Sequence, residues 1–220
     1  MVDIHSWMDA YQTAMLDLFG GRVLLIGLQG SYARGEARED SDIDVVLILD
    51  TVSFKDLKRY REALDALACR PLICGFVSGR REITGWCKAD LFQFYHDTVA
   101  LYGDLDALIP PFNATDVRAA VLAGACGLYH AASHMVLHHF DVQELRGLFK
   151  QAFFVLQARC FQTSGKYLKN RVVLEKALSG RDLDMLRSCA RMREAPVSPE
   201  EAEPLAKQLL QWTGELIGGQ

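Results

Sequence analysis

The chain has 220 residues, 50% of them hydrophobic and 24% charged, with a formal net charge of -4. That size buries one large core or two modest ones, and the slight excess of acid argues against a polynucleotide partner held by many Lys and Arg contacts to phosphate. No eighteen apolar residues run uninterrupted and the first residues are not a basic-then-apolar leader, so no membrane span is expected and a cytoplasmic location is the default.

Trp7, Met8, Tyr11, Met15, Leu18 and Phe19 recur at helical spacing and predict a helix over 3–19, stopped by Gly20-Gly21. The apolar run that follows predicts a strand over 22–28, and a second strand is predicted over 41–49. Between them lies Gly30-Ser31-Tyr32-Ala33-Arg34-Gly35, and the second strand opens on Ser41-Asp42-Ile43-Asp44. Strand side chains alternate, so Asp42 and Asp44 share one face and together can hold a divalent cation such as Mg2+. Gly30 lets a backbone approach phosphate closely, Ser31 offers a hydroxyl and an N–H, and Arg34 can pair with phosphate oxygens. Gly-Ser is also an ordinary turn, and Asp-x-Asp an ordinary edge solvator. The joining of the two halves between apolar strands favours the functional reading.

Ser53 is a suitable N-cap for a helix to about Ala68, and Pro71 breaks the chain before a third strand over 71–77. The aromatic alternation of residues 90–97 is read as a further strand, although its length also suits a helix. Ile109-Pro110-Pro111 is the expected seam between a domain of residues 1–109 and one of residues 112–220. Beyond it the pattern is helical: a helix from about Asp116 capped by Thr115 to His139, one over 142–163, shorter ones over 170–178, 182–190 and 199–217, and an exposed loop over 193–199. His130, His134 and His138 line one helix face, where they suit either a metal or proton-transfer role or a plain polar seam. Lys150 is a lone cation on an apolar helix, a pattern usual for snorkelling lysines. The six cysteines form no Cys-x-x-Cys pair and are expected to be reduced core fillers.

Gly30-Ser31, Arg34 and Ser41-Asp42-Ile43-Asp44 resemble the signature of the nucleotidyltransferase superfamily that includes DNA polymerase β, and within it the kanamycin nucleotidyltransferase-like antibiotic adenylyltransferases. The resemblance implies an α+β fold: a nucleotidyltransferase domain with a mixed sheet and flanking helices, followed by a C-terminal helical bundle. It further implies Mg2+-dependent transfer of a nucleoside monophosphate, AMP from ATP, to a hydroxyl of a small aminoglycoside-like acceptor. Asp42 and Asp44 would be the catalytic and metal-binding acids. Gly30, Ser31, Arg34 and Lys150 would bind the nucleotide, with Tyr167 and Lys169 as weaker candidates, and a homodimer is implied as well. Members usually carry a third carboxylate on a neighbouring strand, yet residues 71–77 contain no acid, which leaves three alternatives: a substitute among Glu82, Asp90 and Asp97, deprotonation of the acceptor by a group from the helical half, or loss of activity. The alternative is an antitoxin-like or regulatory relative that modifies or binds a protein partner, with or without turnover.

Overall fold

A computed structural model describes residues 2–219. By its internal contacts the chain forms two compact units: one of the residues up to Cys87 with Phe94–Pro111, the other of Lys88–Gln93 with the residues from Phe112 onward.

The first unit is built on a four-stranded sheet of order β3-β2-β1-β4, formed by β1 (Val23–Gln29), β2 (Ile43–Leu49), β3 (Ile73–Gly79) and β4 (Val99–Gly103). β2 pairs antiparallel with β1 and parallel with β3, and β4 pairs antiparallel with β1, so the sheet is mixed as expected. The side chains of Ile26, Leu28, Ile43, Val45, Leu47 and Leu49 face one way and pack with Trp7, Tyr11 and Met15 of α1 (Ile4–Phe19) and Tyr60 and Leu64 of α3 (Phe54–Asp65). Asp3 caps α1 and Ser53 caps α3 through a reciprocal bond with Asp56. Trp7 Nε1 donates to the Ala68 carbonyl at 2.8 Å, and the Tyr11 and Tyr60 hydroxyls meet at 3.0 Å inside this layer. Burial there pushes Tyr60 up to about 12 and Tyr11 well above the ordinary tyrosine range, so both stay neutral donors. The opposite face carries Leu25, Gly27, Gln29, Asp44, Val46 and Ile48 by strand alternation, and Phe76 there meets the rings of Phe94 at 4.9 Å and Trp86 at 5.4 Å.

Residues 90–97 correct the strand expectation: they lie in a helix, α5 (Lys88–Asp97), between α4 (Arg80–Thr84) and β4. Leu91 and Phe92, neighbours on this helix, are both buried. Asp90 in its first turn and His96 in its last suit the helix dipole. The fourth strand follows immediately; all five of its residues are exposed, so it shows no apolar alternation.

The second unit holds the start of α5 with α6 (Ala114–His138), α7 (Val142–Ser164), α8 (Arg171–Ala177), α9 (Gly180–Glu194) and α10 (Pro199–Gly218). Asn113, not Thr115, caps α6, and α9 runs to Glu194, which leaves only a short connection before Ser198 caps α10. Val117, Val121, Ala125, Leu128, Ala132 and Met135 form the buried stripe of α6, which packs against α7 and α10. Among the described residues α6 is the helix long and apolar enough to cross a membrane by length and composition; Asp116, Arg118 and its histidines break the run that uninterrupted apolar residues would form. The cysteines depart from expectation: Cys160 and Cys189 are buried, whereas Cys74, Cys87 and Cys126 are exposed, Cys74 because β3 is an edge strand.

Candidate active site

The corner between β1 and β2 brings the sequence motif together in space. Gly30 leaves β1 with φ at +69°, a left-handed conformation that favours glycine, and the chain makes a single helical turn, α2 (Gly30–Ala33). The Arg34 amide donates to the Gly30 carbonyl at 3.2 Å and the Glu36 amide to the Ser31 carbonyl at 2.8 Å, closing the turn. Ser41 Oγ accepts from the Arg38 amide at 2.8 Å, which folds the polar connection back toward β2.

Asp44 is the register partner of Gln29, so it lies beside the residue that precedes Gly30. A Cβ added to Gly30 would overlap the Asp44 carboxylate: the glycine is a notch into which that acid fits. Ile43, the first residue of β2, is fully buried on the α1–α3 side, so Asp44 falls on the other side, half-buried, while Asp42 precedes the strand, which starts two residues later than the expected 41, and is exposed. Two carboxylates near a glycine turn are oxygen donors of the kind that Mg2+ takes, since that ion is commonly held by one or two carboxylates plus phosphate oxygens and water.

The third-acid candidates occupy three different places. Cys74 is the register partner of Asp44 on β3, and no acid lies on that strand. Glu82 packs on Gly79, at the far end of β3, five residues or about 16 Å along the sheet from the Asp44 level. Asp90 belongs to the second unit. Asp97, 5% exposed, accepts from Arg34 Nη1 at 2.8 and 3.0 Å and from the Gly30 amide at 3.1 Å. Arg34 is thus held in a buried ion pair, its side chain 8% exposed and its Nε 3.8 Å from Glu36. Nothing in the local sequence pattern marks Asp97 for this; it lies 67 residues from Gly30.

The remaining predicted residues lie in the second unit. Lys150 is exposed on α7 next to buried Phe149, and Tyr167 packs on Phe92 while its hydroxyl donates to Gln157. The Lys169 carbonyl accepts from Gln157 Nε2 at 3.3 Å. His130, His134 and His138 stack along the exposed side of α6 with ring centroids 6.3 and 4.6 Å apart. Among the described residues no group of three or more His, Cys, Asp or Glu is arranged to hold a metal.

Residues 9–74, which hold the glycine-serine turn and the Asp-x-Asp segment, match the family model described as nucleotidyltransferase domain. This region resembles the DNA polymerase β-like nucleotidyltransferases, and the chain resembles antibiotic adenylyltransferases in fold. Over 66 residues it is 39% identical to the protein adenylyltransferase MntA of Thermococcus cleftensis, a match covering 28% of this chain and 65% of that relative. The chain therefore spans less than two thirds of that relative's length. The spectinomycin adenyltransferase AAD(9) of Enterococcus faecialis, solved with ATP and spectinomycin, shares the fold with a TM-score of 0.63 over 96% of this chain and 99% of that one, at 12% identity.

Proposed function

We propose that the protein transfers AMP from ATP to a hydroxyl of a small acceptor, in a Mg2+-dependent reaction that releases pyrophosphate. The observation that supports this reading is the fit of the Asp44 carboxylate into the notch at Gly30, by which an acid suited to bind metal would lie against a turn suited to receive phosphate. Gly30 supplies clearance, Ser31 supplies a hydroxyl and an amide, and Asp42 and Asp44 would hold Mg2+. Bound there, the ion would neutralise phosphate charge and polarise the α-phosphate. The acceptor oxygen forms its bond to the α-phosphorus as the bond to pyrophosphate breaks, and the hydroxyl proton leaves to solvent or a base.

A small aminoglycoside-like or aminocyclitol acceptor is supported by the shared fold of a spectinomycin adenyltransferase across nearly the whole chain. A second reading, a protein side chain as acceptor, is supported by the 39% identity of the motif region to a protein adenylyltransferase. Incubation of the protein with Mg2+ and ATP labelled at the α-phosphate, with and without a panel of aminoglycosides and aminocyclitols, tests both. Label on a small acceptor supports the first reading and label on protein supports the second. If neither receives label, while a Mg2+–nucleotide complex fails to bind, the transferase reading is refuted.

A further inference from the structure

We propose that Asp97 is a positioning residue for the triphosphate: by gripping the Gly30 amide and the Arg34 guanidinium at once, it presets the turn that receives phosphate and thereby orients Asp44. The inference rests on the nucleotidyltransferase reading and extends it to a residue outside the motif.

α2 is one turn of helix, too short to hold its shape by its own hydrogen bonds. Its first residue, Gly30, and the residue that caps it, Arg34, are tied to the same buried carboxylate. A buried charge is tolerated when it is paired and its remaining lone pairs are satisfied, and Asp97 meets both conditions with three contacts of 2.8 to 3.1 Å. The next residue repeats the arrangement one step back, since Gln29 Nε2 donates to Thr98 Oγ1 at 2.6 Å and to the Phe94 carbonyl at 3.2 Å. The pair Asp97-Thr98 therefore fastens the pair Gln29-Gly30. Because the Asp44 carboxylate occupies the notch at Gly30, a shift of the glycine shifts that acid as well. The Gly30 amide and Arg34 Nη1 are committed inward, so their contribution to phosphate binding is to hold the turn.

The test uses the full chain. Hydrogen exchange at the Gly30 amide, followed by NMR, should be slowed by about a hundredfold before any nucleotide is added and change little afterwards. Calorimetric titration with Mg2+ and α,β-methylene-ATP should give binding to the wild type. Asp97→Glu keeps the charge but displaces it by a methylene, so its thermal midpoint should stay close to wild type while binding weakens by roughly ten- to a hundredfold. Asp97→Asn, which takes away the nearer of the two carboxylates beside Arg34, should lose both stability and binding. A Gly30 amide that exchanges freely until nucleotide arrives, or Asp97 variants that bind like wild type, overturns the inference; the exchange result decides even if the variants do not fold. A wild type that binds no nucleotide overturns instead the reading on which the inference rests.

Discussion

Gly30 and Asp44 fit one another: the missing side chain of the glycine is the space that the aspartate carboxylate fills. The same glycine has φ at +69°, so Gly30→Ala suffers twice. The left-handed backbone costs about 1–2 kcal/mol for a residue with a Cβ, and the new methyl evicts the Asp44 carboxylate. We expect a lower urea midpoint together with a fall in AMP transfer of about a hundredfold or more, since misplacement of about 1 Å can cost that much. A variant that loses stability yet keeps wild-type turnover would show that Asp44 does not need this position.

Asp42→Asn and Asp44→Asn keep shape and remove charge. Asp42 is exposed and Asp44 half-buried, and neither belongs to the packed layer under the sheet, so both variants should fold. Metal-based stabilisation of a transferring phosphate is worth several kcal/mol, so each should lower turnover by roughly a thousandfold. Chelation with EDTA should abolish wild-type transfer, and Mg2+ should restore it. Turnover that survives both the substitutions and chelation would separate these acids from the chemistry.

The motif half of the site was legible because it is local. Two apolar runs flank Gly30 to Asp44, and strand alternation puts Asp44 opposite buried Ile43. What could not be read depends on distant pairing. Asp97 meets Gly30 across 67 residues, and no periodicity announces such a contact. Its segment looked like a strand because aromatics at Phe92, Phe94 and His96 alternate, whereas Phe92 is drawn into a helical core with Phe112 and Phe161. β4 escaped notice for the opposite reason: with every residue exposed, it offers backbone to β1 and no side-chain pattern. The helical half followed from apolar spacing, and its errors fall at caps, where Asn113 outcompetes Thr115 by bonding the amides of Thr115 and Asp116 itself.

Away from the site, acid should loosen the loop that joins β2 to α3. Arg22 donates to Asp56 at 2.9 Å and to Asp50 at 3.0 Å, and the Ser53 hydroxyl donates to Asp56 at 2.7 Å. Arg22 first, and then Ser53, hold the Asp56 carboxyl well below the ordinary aspartate range; the Thr51 amide and Arg22 lower Asp50. A carboxyl whose folded value lies below its unfolded one stabilises the fold above the unfolded value and loses that contribution as pH falls toward the folded one. Asp56→Asn should therefore unfold at lower denaturant than wild type at pH 7, with the difference shrinking below about pH 4. Ser53→Ala, which removes the cap alone, should cost about 1 kcal/mol. Parallel urea titrations from pH 7 to pH 3 test both, and an Asp56→Asn deficit that stays constant across that range would rule out the linkage.

The place beside Asp44 on β3 offers a gain-of-function test. Cys74 is exposed there and lies on the Asp44 face, since Ile73 and Val77 turn toward the opposite layer. An exposed edge position accepts a charged side chain at little cost, and charge on an edge strand also discourages sheet-to-sheet pairing. Cys74→Asp would add a carboxylate at the level of the existing pair, where it can share a divalent ion or accept the proton of the acceptor hydroxyl. A positioned base contributes about a hundredfold or more to such a transfer, so even a partly aligned acid should raise turnover by about tenfold, with tighter Mg2+ dependence. Cys74→Ser serves as the size-matched control. Equal turnover in the aspartate and serine variants would place the acceptor proton's destination elsewhere in the molecule, because the carboxylate would then sit beside Asp44 without taking part.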